Sequence, residues 1–248
     1  MKPLLTLIAA SLFSISSVAQ DVSEIIRKAD EKFRGESSRG QTTMIIERPN
    51  WSREISMKTW SLGNDFSLIY ITAPAKEKGQ VFLKRKNEMW NWVPTIERMI
   101  KIPPSMMMQS WMGSDFTNDD LVRESSLVKD YSHKLLGEEI IMNYNCYKIE
   151  LTPKTDAPVV WGKILMWVSK EKYHWLKAEY YDEDGILVNT ELLSDIKRMD
   201  DRLMPTRMEM IPADKEGHKT ILIFDDIEFD VDLNESFFSQ QNMKRIRP

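Results

Sequence analysis

The feature that most constrains this chain is a period-two alternation of apolar and polar residues. It fills two long stretches whose internal links are too short to hold a crossover helix. Gln41 to Pro103 reads as strands over 41–48, 52–61, 65–73, 79–86, 88–93 and 97–102. The links between them are turn-forming groups such as Arg48-Pro49-Asn50, Gly63-Asn64-Asp65 and Ala73-Pro74-Ala75. From Tyr131 the rhythm resumes over 131–140, 144–153, 163–170, 173–182, 186–198, 202–211 and 218–231, with Asp182-Glu183-Asp184-Gly185 as a strong turn. Parallel neighbours need a connection of a dozen or more residues, so these strands pair as antiparallel meanders. No repeat of 20–50 residues appears, which disfavours solenoids and propellers.

The alternation also says how the strands are buried. In 226–231, Ile227, Phe229 and Val231 alternate with Asp226, Glu228 and Asp230, so one face is wet. Other strands are apolar on both sides. Ile164, Met166 and Val168 oppose Leu165 and Trp167, and Phe66, Leu68 and Tyr70 oppose Ile69 and Ile71. A flat sandwich buries one face of each sheet. A strongly curved sheet, with helices or a ligand on its concave side, buries parts of both.

Two regions depart from the strand rhythm near the N-terminus. Met1-Lys2-Pro3, the apolar run Leu4 to Phe13 and the small residues Ser17-Val18-Ala19 form an export signal, with cleavage expected after Ala19. The mature chain is then a single domain over 20–248, located in the periplasm. Asp21 to Arg34 reads as a helix, with Val22, Ile25, Ile26, Ala29 and Phe33 on one face and Gly35 as its stop. For an exported chain, one cysteine is informative. Cys146 permits no intramolecular disulfide, and its setting in a strand predicts a buried, inert thiol. The balance of 34 Lys and Arg against 38 Asp and Glu offers no basic excess for nucleic acid.

The other interruption is Pro103 to Glu124, which is dense in methionine and tryptophan. The chain holds 16 Met and 8 Trp in all. Ser105 can cap a short helix from Met106 to Met112, ended by Gly113. That helix would be apolar on every side, so it is buried or it touches something apolar. It is a plug at one end of a barrel or a lid over an apolar cavity. The candidate ligand contacts are Met106, Met107, Met108, Trp111, Met112 and Phe116, joined by Trp90 and Trp92 on the strand just before. Core packing is the competing reading for each. Met204, Met208 and Met210 share a face of a late strand and invite the same choice.

Catalytic and metal motifs are absent: there is no GxSxG, HExxH, GxGxxG, Walker A or EF-hand pattern. His133, His174 and His218 have no ligand spacing and read as structural or solvent-facing. Asp115, Asn118, Asp119 and Asp120 form an acidic cluster, but Thr117 with Asp120 resembles a capping box. Lys76, Lys78, Lys84, Arg85 and Lys86 read as a solvated strand edge. The tail from Asn234 to Met243 reads as a short helix capped by Asn234.

The runs TAPAKEKGQVFL, MWNWVP and IPPSMMMQSWMGSDFTNDDLV, spanning 72–122, resemble the exported outer-membrane lipoprotein-sorting family, relatives of LolA. The resemblance implies a mainly β fold: a half-open antiparallel β-barrel with an N-terminal helix and short lid helices over its concave, apolar face. It implies a non-enzymatic carrier without a cofactor or metal, whose cargo is lipid or the acyl chains of a lipoprotein, with transient membrane contact. Members of this subfamily often accompany inner-membrane exporters of the RND type. The alternative role is therefore an accessory subunit that binds such an exporter, with the acidic cluster at Asp115, Asp119 and Asp120 as a docking surface. The physics fits a carrier, since each acyl methylene taken from water is worth about 0.8 kcal/mol. A chain of about fifteen methylenes costs roughly 12 kcal/mol to leave in water. Flexible methionine linings suit a pocket that must also release its load.

Overall fold

A computed structural model describes residues 21–247 other than 87, 123–125, 156 and 158. The export signal expected over 1–19 lies outside the described residues, as does the end of the Met/Trp region at 123–125. Helix α1 (Val22–Arg34) follows an Asp21 cap whose side chain accepts from the Ser23 amide, and Gly35 ends it at φ 68°. The first meander holds β1 (Ser37–Arg48), β2 (Trp51–Leu62), β3 (Phe66–Ala73), β4 (Val81–Arg85), β5 (Glu88–Val93) and β6 (Arg98–Ile102). Helix α2 (Asn118–Val122) separates it from β7 (Tyr131–Ile141), β8 (Tyr144–Pro153), β9 (Lys163–Ser169) and β10 (Trp175–Tyr181). β11 (Leu187–Met199), β12 (Arg202–Pro212), β13 (Lys219–Phe229) and a final helix α3 (Gln240–Arg245) complete the order. The observed strands match those read from the alternation, each bound within a few residues.

All thirteen strands form one antiparallel sheet, ordered β6-β5-β4-β3-β2-β1-β13-β12-β11-β10-β9-β8-β7. Every neighbour pair is consecutive in the chain except one. β1 pairs with β13, and this contact fuses the two meanders into a single surface. The sheet stays open, with β6 and β7 as its edges. A bulge between Gln41 and Thr42 interrupts the fused pair. Gly40 stands beside it because a Cβ there would come within 2.5 Å of the Asp226 carbonyl oxygen.

The strands that are apolar on both sides now have an explanation. Their inner face packs on α1, through Ile25, Ile26 and Ala29, in a core that includes Met44, Ile55, Ile71, Ile149, Met166 and Met208. The outer face of β3–β5 carries Phe66, Leu68, Val81, Leu83 and Trp90, and the C-terminal tail covers it with Phe237, Phe238 and Met243. A small third cluster holds Cys146, Trp167 and Leu176. Cys146 is buried, and burial pushes its thiol pKa up, as expected of an inert thiol.

Three local expectations are corrected. Met106–Met112 is not an α-helix: a single 3-10 turn at Pro104–Met106 is followed by a chain reversal at Met112 (φ 51°) and Gly113 (φ 81°). The backbone donors there find partners across the loop instead of along a helix. Trp111 donates to the Phe116 carbonyl at 2.9 Å and Asn118 to that of Gln109 at 2.9 Å. The tail helix runs Gln240–Arg245 and its cap is Ser239, while Asn234 serves a local turn to Ser236. It starts late because the Arg85 guanidinium takes the carbonyls of Glu235 and Phe238, at 3.0 and 2.9 Å. Of the basic residues assigned to a solvated edge, Lys84 is instead buried and donates to the Asn64 carbonyl at 2.7 Å, while the Arg85 side chain stays partly exposed beside the tail. β4 is an interior strand, with β5 and β6 beyond it.

Candidate ligand-binding cavity

A cavity of about 220 Å³ lies between the inner face of the sheet and the segments that cover it. The sheet supplies Met57, Ile164, Met208 and Leu222. The cover supplies Phe33 from α1, Phe116 and Leu121 beside α2, and Leu127 and Trp161 from loops. The lining is mainly apolar, and several of its polar groups have partners within the protein. Tyr180 donates to the buried Glu191 carboxylate at 2.7 Å. The Asp120 carboxylate accepts from the Thr117 amide at 2.8 Å and from the Trp161 indole at 3.2 Å. The Asp120 amide in turn donates to the Thr117 hydroxyl at 3.1 Å. This is the reciprocal capping box expected from the sequence.

The two ends of the cavity differ. One end is closed by the Met/Trp segment, which is fastened to β1 and β13. Arg48 and Asp115 form an ion pair at 2.9 Å with side chains only 9% and 5% exposed. Thr220 donates to the Asp115 carboxylate at 2.7 Å, and Arg48 donates to the Gly113 carbonyl at 2.9 Å. The other end lies at the β2–β3 turn, where Gly63, Asn64 and Arg34 line the opening. Arg34 there is held by Asp30 at 2.8 Å.

Known proteins fit this geometry. A family model described as "Uncharacterized protein" matches residues 63–245, well over half of the chain. The chain is similar to the crystal structure of a LolA superfamily protein from Nitrosomonas europaea (27% identity, 89% of this chain and 98% of that one, TM-score 0.77). It is also similar to an outer membrane lipoprotein-sorting protein domain from Vibrio parahaemolyticus (26% identity, 90% and 98% covered, TM-score 0.79). The chain belongs to the family of that model, and its fold is LolA-like. A DUF1329 family protein from Desulfovibrio piger has the same fold (27% identity, 89% and 97% covered, TM-score 0.80). No curated protein matches the chain.

Within this LolA-like frame the candidate contact residues separate into four groups. Phe116 lines the cavity. Met107 and Trp111 are buried in the inner core, Trp111 with its ring centroid 5.0 Å from that of Phe82, and Met112 packs against the same core. Met106 and Met108 are 37% and 47% exposed. Trp90 and Trp92 belong to the outer face, under the tail. Met204 and Met208 do line the cavity, while Met210 is buried in the core beside it. Met57, Trp161 and Leu222 were not singled out by sequence reasoning. Met57 and Leu222 are marked only by their place in an alternating face that could not be told from its opposite, and Trp161 lies in a loop with no pattern to mark it.

The remaining polar candidates are structural. Asp115 and Asp119 are buried, so the acidic cluster is not an exposed docking surface. His133 bonds the Ser23 hydroxyl (2.9 Å) and the Leu127 carbonyl (2.7 Å), tying α1 to β7. His174 is buried with Nε2 at 3.1 Å from the Leu203 carbonyl. Among the described residues no group of three His, Cys, Asp or Glu side chains could hold a metal ion.

Proposed function

We propose that this chain is a non-enzymatic periplasmic carrier that shields acyl chains of lipid or lipoprotein in the inner cavity during transfer between membranes. The observation that carries the reading is the mainly apolar cavity enclosed between a LolA-like sheet and its own covering segments. Protein interiors leave few voids larger than a water molecule. This one opens at the β2–β3 turn, so its apolar wall is left facing solvent. Acyl methylenes that cover that wall gain about 0.8 kcal/mol each on leaving water. The space is smaller than the roughly 300–1,000 Å³ of ordinary small-molecule pockets. It takes one chain segment as it stands, and a larger load requires the cover to shift. Met57, Met204 and Met208 in the wall can repack around either load.

The test is native mass spectrometry of the delipidated mature protein after exposure to vesicles of defined phospholipid. The expected result is a folded protein carrying lipid. Met208→Trp, which fills the cavity, should abolish uptake while the melting temperature holds. A wild-type protein that takes up no lipid overturns the reading.

A further inference from the structure

The wall of the cavity changes character along the strands, and the change is ordered by the pairing register. Nearest the β2–β3 turn, Ser67 stands opposite Ser61, and Ser61 opposite Ser38. One step inward the row reads Ile69, Thr59 and Gly40. The next reads Ile71, Met57 and Thr42, and the next pairs Ile55 with Met44 and Met44 with Leu222. Side chains two apart on a strand share a face, so these rows lie on one continuous surface. That surface runs from three hydroxyls at the mouth to wholly apolar residues at depth. Ser38, Ser61 and Ser67 all line the cavity and are half-buried.

A row of serines is a poor floor for an acyl chain and a good one for a neutral polar group. Each hydroxyl offers one donor and two acceptor lone pairs. The Ser38 and Ser61 hydroxyls are bonded to each other at 2.7 Å, which leaves one of their two protons for a ligand. Arg34 at this end is paired with Asp30, and the other charged groups of the lining are carboxylates, Asp119, Asp120 and Glu191. The row therefore suits ester carbonyls and free hydroxyls better than a carboxylate or phosphate.

We propose that Ser38, Ser61 and Ser67 form a head-group shelf that takes the ester and hydroxyl groups of an uncharged acylglycerol. Its chain points inward past Thr59 toward Met57 and Leu222. The inference rests on the carrier reading and adds to it the class of head group and the direction in which the cargo lies.

Uptake of two probes of equal chain length, 1-palmitoylglycerol and palmitate, tests it by titration into the delipidated protein. Wild type should bind the glyceride about tenfold more tightly. Ser38→Ala/Ser61→Ala/Ser67→Ala should erase that preference by weakening the glyceride about tenfold and leaving palmitate unchanged. If the triple variant does not fold, Ser61→Ala should show the same selective loss at severalfold. Palmitate binding as tightly as the glyceride overturns the shelf while the carrier stands. So does a loss shared equally by both probes, or no loss at all. Failure of wild type to bind either probe overturns the carrier itself.

Discussion

The first meander is apolar on both faces, and the chain covers the two faces in different ways. On the outer face the tail packs to contact: the Phe238 ring lies 5.6 Å from Phe66, and Phe237 lies 5.7 Å from Trp60. Arg85 fixes that tail by its carbonyls. On the inner face α1 and the Met/Trp segment are fastened as firmly at their ends, yet they leave a cavity. An apolar face thus marks a surface that needs cover, not a ligand site. What distinguishes the inner face is that its cover does not fill the space, although the chain has the aromatic side chains to do so.

If the outer cover is purely structural, damaging it should cost stability and spare binding. Phe238 is fully buried, so Phe238→Ala should lower stability by about 4 kcal/mol. Lipid uptake by the fraction that remains folded should be unchanged. Denaturant unfolding alongside native mass spectrometry checks both halves, and lost uptake in folded protein would break the contrast between the faces. The inner cover should respond in the opposite way. Asp115→Asn leaves Arg48 buried without its counter-charge and should cost about 3 kcal/mol. It should also free the Met/Trp segment, seen as faster amide exchange at Trp111 and Asn118 and as faster lipid entry.

Acid should loosen the inner cover selectively. Burial, with Lys32 close by, pushes the His174 pKa down to about 4. The ring is therefore neutral in the folded protein, with Nε2 donating to Leu203 and Nδ1 lacking a partner. In the unfolded chain the ring titrates near 6.5. Its neutral form is thus built into the fold above pH 6.5, and stability is lost as pH falls from there toward 4. From pH 7 to pH 5 the loss is about 2 kcal/mol. His174 is near Lys32 of α1, which donates to the Lys172 carbonyl at 2.6 Å, so the loosened element is the helix over the cavity. His174→Gln should flatten the stability profile over this range; an unchanged slope would remove His174 from the account.

The strands were legible because alternation and turn residues are local signals that agree with each other. Thr117 and Asp120 were legible for the same reason, as a motif closed within three residues. What could not be read depends on contacts distant in sequence. The β1–β13 pairing joins residues nearly the length of the chain apart, and nothing local announces it. Without it, the inner and outer faces of β3 have equal claims: Ile69 and Ile71 went to the core under α1, Phe66 and Leu68 to the tail. The same gap explains the candidate site. Trp90 and Trp92 alternate as a cavity wall would, but on the face the tail covers. Met106–Met112 has helical composition, yet its amides bond across a reversal that Met112 and Gly113 create.

The smallest expected effect probes the inner cover where it meets the cavity. Thr117→Ala removes the hydroxyl that accepts from the Asp120 amide, a loss worth about 1 kcal/mol for a helix cap. α2 is only five residues long and cannot persist by its own propensity. The loss should therefore appear as local opening before it appears as global unfolding. Hydrogen exchange at Asp120 and Leu121 should quicken severalfold, with a melting temperature lower by only a few degrees. Leu121 lines the cavity, so the same variant should also load lipid faster than wild type. Faster exchange without faster loading would place the entry route elsewhere, at the serine-lined mouth, and would leave α2 as a fixed part of the wall.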